Sequence, residues 1–323
     1  MISKLLWGVG YVAIFVVSFL GGILVNTIGA PSFAGIGKVQ WDDSVGTVDE
    51  DLPYAEGESH TFDLYLPADR AAATKLVVYL HAGGFTGGDK SDDADILKHF
   101  ASEGYVAAGI NYSLRSDSNE TSVTQMTDEV KTGIAAAVRA AADRGYIVDA
   151  MVVAGGSAGG NLAMTYAYRD AVEAPVPVTA VISMVGPASF DPRAWFGIDD
   201  GFASDKSAEA GAAFVSIITG DAISPAMMRS GEYQTHLKDV SPLMLVTPDA
   251  PASLLAYGEL DKVAPYAASR DMEDVLERNG VPHDVLVFPN SGHALNRDPA
   301  LSQELGRKIE EYLRTYAPLG PAS

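Results

Sequence analysis

The chain has 323 residues and a formal net charge of −20, and it contains no cysteine. A surface this acidic repels phosphate backbones, which argues against nucleic-acid binding. The absence of cysteine excludes disulfides, thiolate zinc sites and a cysteine nucleophile.

An apolar segment opens the chain. Residues 5–28 carry no charge, and as a helix of ~36 Å they could cross a bilayer. We expect residues 1–30 to be a membrane anchor or signal segment. A cleaved signal, with the small-x-small pattern Ser32-Phe33-Ala34, and a buried core helix are the alternatives. Lys4 precedes the span and acidic residues follow it, which predicts that the rest of the chain lies outside the cytoplasm.

A glycine-rich linker is expected at residues 31–47 and a single domain at residues 48–323. Within this domain, strand and helix patterns alternate. The predicted strands are 60–66, 76–80, 105–110, 151–154, 178–185, 254–257 and 285–288. The predicted helices are 95–104, 128–144, one from 160 onward, 267–279 and 301–316. This alternation predicts an α/β fold with a mostly parallel, doubly wound sheet, in which only the first predicted strand reads as antiparallel.

One stretch interrupts the alternation. Residues 187–250 show short helix-like pieces rich in aromatic and methionine residues, with no clear strand. An insertion at this point would lie over the carboxyl ends of the strands, where α/β proteins bind ligands. We interpret it as a helical lid or cap, although its apolar residues could instead pack against the sheet.

Gly155-Gly156-Ser157-Ala158-Gly159 joins a predicted strand to a predicted helix. This is the G-x-S-x-G pattern in the context that exposes a serine hydroxyl at a sharp turn. We predict Ser157 as a nucleophile, with the N–H of Ala158 facing a developing oxyanion. Glycine-rich strand–helix turns also bind phosphate, but the Lys-Ser/Thr ending of a phosphate-binding P-loop is missing here.

His81-Ala82-Gly83-Gly84-Phe85 directly follows the predicted strand 76–80. Glycines at such a place leave backbone N–H groups free to face a substrate oxygen, so we expect Gly83 and Gly84 to complete an oxyanion hole with Ala158. A tight turn without a role is the alternative. His81 is interpreted as bracing the turn, not as a base.

A serine nucleophile needs a histidine to accept its proton. Of six histidines, only His293 lies in a glycine-containing loop after a late strand, and the order serine, acid, histidine places the base last. The acid should follow the strand 254–257, where Glu259 and Asp261 are candidates. We favour Asp261 because it lies further into the loop.

These motifs resemble those of α/β-hydrolase esterases related to hormone-sensitive lipase. The closer resemblance is to the small carboxylesterase branch that includes kynurenine-formamidase-like enzymes, of the BD-FAE type. It extends over roughly residues 48–316, and it also includes Gly88-Asp89-Lys90-Ser91 and Asn111-Tyr112-Ser113. The family usually has glycine where Ala82 stands, so alanine would strain the loop if that position needs positive φ.

The resemblance implies hydrolysis of a small-molecule ester through a serine ester intermediate, without metal or organic cofactor. An amidase, formamidase or short-peptide hydrolase, a membrane-tethered acyltransferase and a catalytically inactive binding protein are the alternatives.

Overall fold

The structure is a computed structural model that describes residues 39–320. Its strands are β1 (Gly46–Pro53), β2 (Thr61–Pro67), β3 (Lys75–Leu80), β4 (Val106–Ile110), β5 (Ala150–Gly156), β6 (Val178–Met184), β7 (Ala252–Gly258) and β8 (His283–Phe288). Its helices are α1 (Ala94–Ser102), α2 (Val123–Asp143), α3 (Ala158–Thr165), α4 (Pro192–Phe196), α5 (Asp205–Thr219), α6 (Pro225–Ser230), α7 (Tyr233–Leu237), α8 (Met272–Arg278) and α9 (Pro299–Tyr316).

The eight strands form one sheet in the order β1-β2-β4-β3-β5-β6-β7-β8. β2 runs antiparallel to both of its neighbours, β1 and β4. The six strands β3 to β8 run parallel to one another. Every residue of β4, β5 and β7 is buried, because helices cover both faces of the sheet. The sheet itself separates the core into two apolar layers. The predicted α/β class and mostly parallel sheet are confirmed.

β1 was not predicted from the sequence, and it begins two residues inside the expected linker. Four of the eight residues in its sequence, GTVDEDLP, carry polar or charged side chains, and half of its residues are exposed. The strand is defined by its pairing with β2, interrupted by an irregularity between Asp49 and Leu52. Acidic side chains on an edge strand discourage pairing with other chains, so a polar sequence is expected for β1. Because this sequence lacks the alternation of polar and apolar residues, the strand could not be predicted from it.

Two helices begin five residues away from their predicted starts, and the other predicted helices agree within two residues. α2 begins five residues early, because the Ser122 hydroxyl accepts a hydrogen bond from the Gln125 N–H at 3.2 Å and caps the helix. α8 begins five residues late, since Tyr266–Ala268 forms a separate 3₁₀ turn before it.

The segment that interrupts the alternation, residues 187–250, contains α4 to α7 and short 3₁₀ turns and has no strand. The predicted membrane anchor or signal segment, residues 1–30, lies outside the part of the chain that the structure describes. Within residues 39–320, none of the helices has the length and hydropathy needed to cross a membrane.

Candidate active site

Ser157 lies at the turn between β5 and α3, with φ 52° and ψ −116°. Such a conformation is strained for a residue with a side chain, and strain of this kind is concentrated at functional sites. A Cβ on Gly155 would lie 2.5 Å from the carbonyl carbon of Gly159, and one on Gly159 would lie 1.9 Å from the Leu80 carbonyl oxygen. Only glycine at both positions lets β5, α3 and the end of β3 approach this closely.

His293 lies in the loop after β8 and faces the serine. Its Nε2 is 2.8 Å from the Ser157 Oγ, and its Nδ1 is 2.7 Å from the Asp261 Oδ2. A carboxylate oxygen accepts hydrogen bonds, so Nδ1 carries the proton that it donates to Asp261. This tautomer leaves Nε2 as an acceptor for the serine hydroxyl.

Asp261 follows β7, and two backbone N–H groups fix the carboxylate oxygen that does not face His293. Oδ1 accepts hydrogen bonds from the N–H groups of Val263 at 2.8 Å and Ala264 at 3.0 Å. The Asp261 side chain is 2% exposed and the His293 side chain 17%, so the carboxylate is shielded while the imidazole retains access to solvent. The structure thus brings together the three residues predicted from the sequence, whereas the alternative acid, Glu259, is exposed.

Sequence reasoning missed the residue that shapes the histidine loop. Asp298 Oδ2 accepts hydrogen bonds from the Ser291 hydroxyl at 2.6 Å and the Asn290 N–H at 3.1 Å, and its Oδ1 accepts one from the Asn290 side chain at 2.7 Å. Burial opposes ionisation of Asp298, but these hydrogen bonds outweigh it and lower the pKa of the carboxyl. The only sequence signal was an aspartate before the helix of Pro299.

The loop of residues 81–85 lies against the serine turn. A Cβ on Gly156 would lie 4.0 Å from the Cβ of Ala82, and one on Gly159 would lie 2.6 Å from the His81 carbonyl oxygen. The N–H groups of Gly83, Gly84 and Ala158 donate to no acceptor within residues 39–320. These three donors therefore have no protein partner in the described part of the chain, as the donors of an oxyanion hole require.

Positive φ falls at Gly83 (126°), Gly84 (65°) and Phe85 (63°), and not at Ala82. The strain considered for alanine at this position is therefore absent. Gly83 cannot be replaced in the same way, since a Cβ there would lie 2.0 Å from the Gly87 carbonyl oxygen.

His81 is buried, and its Nδ1 donates to the Ala82 carbonyl oxygen at 2.7 Å. Burial lowers the pKa of the imidazole, which outweighs the opposing hydrogen bond and the nearby aspartates. A neutral His81 that bonds the adjacent carbonyl has the geometry of a bracing residue.

Beyond this loop, the buried Lys90 side chain binds two carboxylates, one from the buried Asp63 and one from the exposed Asp51. Lys90 Nζ lies 3.1 Å from Asp63 and 2.8 Å from Asp51, and the Lys90 N–H donates to Asn111 Oδ1 at 2.7 Å. Asn111 in turn donates to Asp89 at 2.6 Å. Burial disfavours the Asp89 carboxylate, but bonds from Ser91 and Asn111 and the charge of Lys90 lower the pKa of Asp89 to about 2.

The remaining histidines contact other residues. His60 lies near Ser113 and Glu129, His99 lies beside the ring of Phe100, His236 bonds Asp221, and His283 bonds the Val281 carbonyl. Among the residues that the structure describes, no cluster of three or more histidines and carboxylates could hold a metal ion.

The strand order, the strained serine turn and the loops after β3, β7 and β8 define an α/β-hydrolase fold. The chain belongs to the BD-FAE family, whose model matches residues 62–276. The expected family is thereby confirmed.

Two curated relatives are 24% identical to the chain. One is a probable isoprenylcysteine alpha-carbonyl methylesterase of Oryza sativa subsp. japonica, aligned over 74% of this chain and 55% of its own length. The other is the probable carboxylic ester hydrolase LipM of Mycobacterium tuberculosis, aligned over 71% of this chain and 52% of its own length. The chain therefore spans about half the length of the curated relatives it matches.

Among solved structures, an esterase B from Lactobacillus rhamnosis superposes with a TM-score of 0.68 at 20% identity, covering 95% of this chain and 97% of its own. At this identity the similarity establishes the fold alone.

Proposed function

We propose that this protein hydrolyses carboxylic esters of small molecules, with Ser157 as nucleophile, His293 as general base and Asp261 as the group that orients the histidine. The observation that carries the proposal is the continuous hydrogen-bonded line from Asp261 through His293 to Ser157, with distances of 2.7 and 2.8 Å. Both curated relatives are named as ester hydrolases, which favours esters over amides as substrates.

In the first half of the reaction, Ser157 Oγ attacks the ester carbonyl carbon as its proton passes to His293 Nε2. The carbonyl oxygen becomes an oxyanion and accepts hydrogen bonds from the N–H groups of Gly83, Gly84 and Ala158. The bond to the leaving oxygen then breaks, and His293 donates its proton to the departing alcohol. The acyl group remains on the serine as an ester.

In the second half, water attacks the acyl carbon and gives a proton to His293. The bond to Ser157 Oγ breaks, the serine regains its proton, and the carboxylic acid leaves. Asp261 keeps Nδ1 protonated throughout and stabilises the imidazolium without taking the proton itself.

The test is hydrolysis of p-nitrophenyl acetate, butyrate, octanoate and palmitate, with the matching p-nitroanilides, by wild type, Ser157→Ala and Ser183→Ala. Ser183 is the control, because its hydroxyl is buried and has no partner within residues 39–320. We expect wild type and Ser183→Ala to cleave esters, and Ser157→Ala to lose at least about 10⁴-fold in kcat. If Ser157→Ala still cleaves esters, Ser157 is not the nucleophile. If wild type cleaves the anilides faster than the esters, the protein is an amidase and not an esterase.

We also propose that residues 5–28 anchor the chain in a membrane, with the hydrolase domain outside the cytoplasm. The uninterrupted apolar run and the charges that flank it support this proposal. Full-length protein should stay with membranes through alkaline carbonate extraction, and protease added outside intact cells should cleave the domain. Recovery of the chain with its N-terminus intact in the soluble fraction would contradict it.

A further inference from the structure

The inserted segment leaves and rejoins the body of the protein through two adjacent stretches, residues 187–190 and 240–243, which we call the neck. The Leu243 N–H donates to the Ala188 carbonyl at 2.9 Å, and the Phe190 N–H donates to the Ser241 hydroxyl at 3.2 Å. These two bonds hold the outgoing and returning stretches side by side.

One side chain of the serine-bearing helix binds both stretches. Asn161 is completely buried, and its Nδ2 donates to the Pro187 carbonyl at 2.8 Å and to the Val240 carbonyl at 3.2 Å. Its backbone N–H donates to the Ser157 carbonyl at 3.0 Å, closing the first turn after the nucleophile. A single residue therefore connects the strained serine turn to both sides of the neck.

The bonding pattern at Asn161 requires a donor. Both partners are carbonyl oxygens, whereas Asn161 Oδ1 has no hydrogen-bond partner in the described part of the chain. An amide turned the other way would set its oxygen against two carbonyls, which is unfavourable in a buried site. The Asn161 side chain therefore binds the neck through the two N–H groups of its amide.

The neck also determines where the insertion meets the oxyanion loop. Phe190, in the outgoing stretch, packs edge-on against Phe85 with ring centroids 6.0 Å apart, and Trp195 stacks on Phe190 with centroids 5.7 Å apart. Phe85 is the residue directly after Gly84, so a shift of the neck would displace an aromatic ring that contacts the loop beside the serine.

We propose that Asn161 is a positioning residue that fixes the neck, and through the buried Phe190 the place where the insertion packs against Phe85 of the oxyanion loop. This inference rests on the proposed ester hydrolysis for its kinetic consequences. Asn161 holds the insertion in register with the nucleophile, and loss of its two donors weakens substrate binding more than the chemical step.

The experiment compares Asn161→Ala, Asn161→Asp and Thr165→Val with wild type. Thr165 is the matched control, because it lies one turn further along α3, is completely buried and has a hydroxyl without a partner among residues 39–320. For p-nitrophenyl butyrate we expect Asn161→Ala to raise KM by about 10-fold, as losing one or two hydrogen bonds would, with kcat within about 3-fold of wild type. Thr165→Val should match wild type.

Asn161→Asp supplies a readout that general destabilisation would not produce. A protonated carboxyl at this position can donate one hydrogen bond to the neck, whereas the ionised form presents only acceptors to two carbonyls. The KM of Asn161→Asp, divided by the KM of wild type at the same pH, should therefore be lowest at pH 5 and at least about 10-fold higher at pH 8. This signature remains available if Asn161→Ala fails to fold.

Limited proteolysis tests the neck without reference to catalysis. The insertion of Asn161→Ala, or of Asn161→Asp at pH 8, should be cut faster than that of wild type or Thr165→Val. Equal cleavage together with an unchanged KM in the Asn161 variants would overturn the inference while leaving ester hydrolysis intact. A wild type that cleaves no ester would refute the proposed function instead, and the proteolysis would still decide whether Asn161 holds the neck.

Discussion

The imidazole of His81 lies flat on the ring of Tyr112, with ring centroids 4.2 Å apart and planes inclined by 4°. The Tyr112 hydroxyl also donates a hydrogen bond to the His81 carbonyl oxygen at 2.8 Å. Tyr112 follows β4 and His81 follows β3, so the two contacts clamp the start of the oxyanion loop to the neighbouring strand. The loop is held by buried groups that take no part in the proposed chemistry.

Tyr112→Phe should separate the two parts of this clamp. The ring stack is retained while the hydrogen bond is lost, which should cost about 1 kcal/mol and lower kcat by about 3- to 10-fold. Tyr146→Phe is the matched control, since its buried hydroxyl donates to the Pro67 carbonyl at 2.8 Å at the end of β2. Both variants should lose similar stability in a thermal melt, and only Tyr112→Phe should lose activity. Equal activity in the two would show that the clamp does not affect the oxyanion loop.

Gly83→Ala tests the oxyanion loop directly. The new Cβ would collide with the Gly87 carbonyl, so the loop must move and its donors with it. We expect kcat to fall by about 10²–10³-fold, the usual effect of losing an oxyanion donor. Gly280→Ala is the control, because Gly280 also has positive φ (68°) but no atom lies within 4 Å of the added carbon. If both variants keep wild-type kcat, the loop is not the oxyanion hole.

Asp93 should make stability depend on pH. Its Oδ2 is buried without a partner within residues 39–320, and burial raises the pKa of Asp93 to about 7. The folded state therefore binds a proton that the unfolded state releases above its ordinary carboxyl pKa. The stabilisation is fully present below pH 4 and is lost as pH rises to about 7.

Asp93→Asn should remove this dependence and be more stable than wild type at pH 8, by on the order of 2–4 kcal/mol. Urea unfolding at pH 5 and pH 8 measures the difference. An advantage of the variant that is no larger at pH 8 than at pH 5 would contradict a buried, proton-binding Asp93.

Asp298→Asn should loosen the histidine loop. One carboxylate oxygen becomes an NH₂ group that faces the donors of Asn290 or Ser291, so at least one of three hydrogen bonds is lost. We expect kcat/KM to fall by about 10-fold as His293 leaves its position opposite Ser157. Because the pKa of Asp298 is lowered, wild type keeps these bonds at neutral pH and loses them only in acid.

Asp69→Asn is the control for this prediction, since Asp69 accepts two backbone hydrogen bonds in a turn after β2. It should leave kcat/KM unchanged in the same ester assay. If Asp298→Asn loses no more activity than Asp69→Asn, the position of the histidine loop does not depend on Asp298.

The sequence by itself determined the features that depend on neighbouring residues. The glycines around Ser157 and the alternating strands and helices follow local rules of backbone conformation and burial. The order of serine, acid and histidine is a rule of the whole fold that these local features indicate. They were sufficient to predict the α/β-hydrolase fold and the residues Ser157, His293 and Asp261, which the structure brings within hydrogen-bonding distance.

Only the tertiary structure decided the features that depend on distant partners. β1 is polar and becomes a strand by pairing with β2, and Ala82 escapes strain because the positive φ angles fall on the next three residues. Asp261, and not Glu259, meets His293 because of how the loops after β7 and β8 fold over each other. Asn161 reaches residues 26 and 79 positions away. A hydrogen bond between remote segments exists only once packing has brought donor and acceptor together, so no local pattern in the sequence records it.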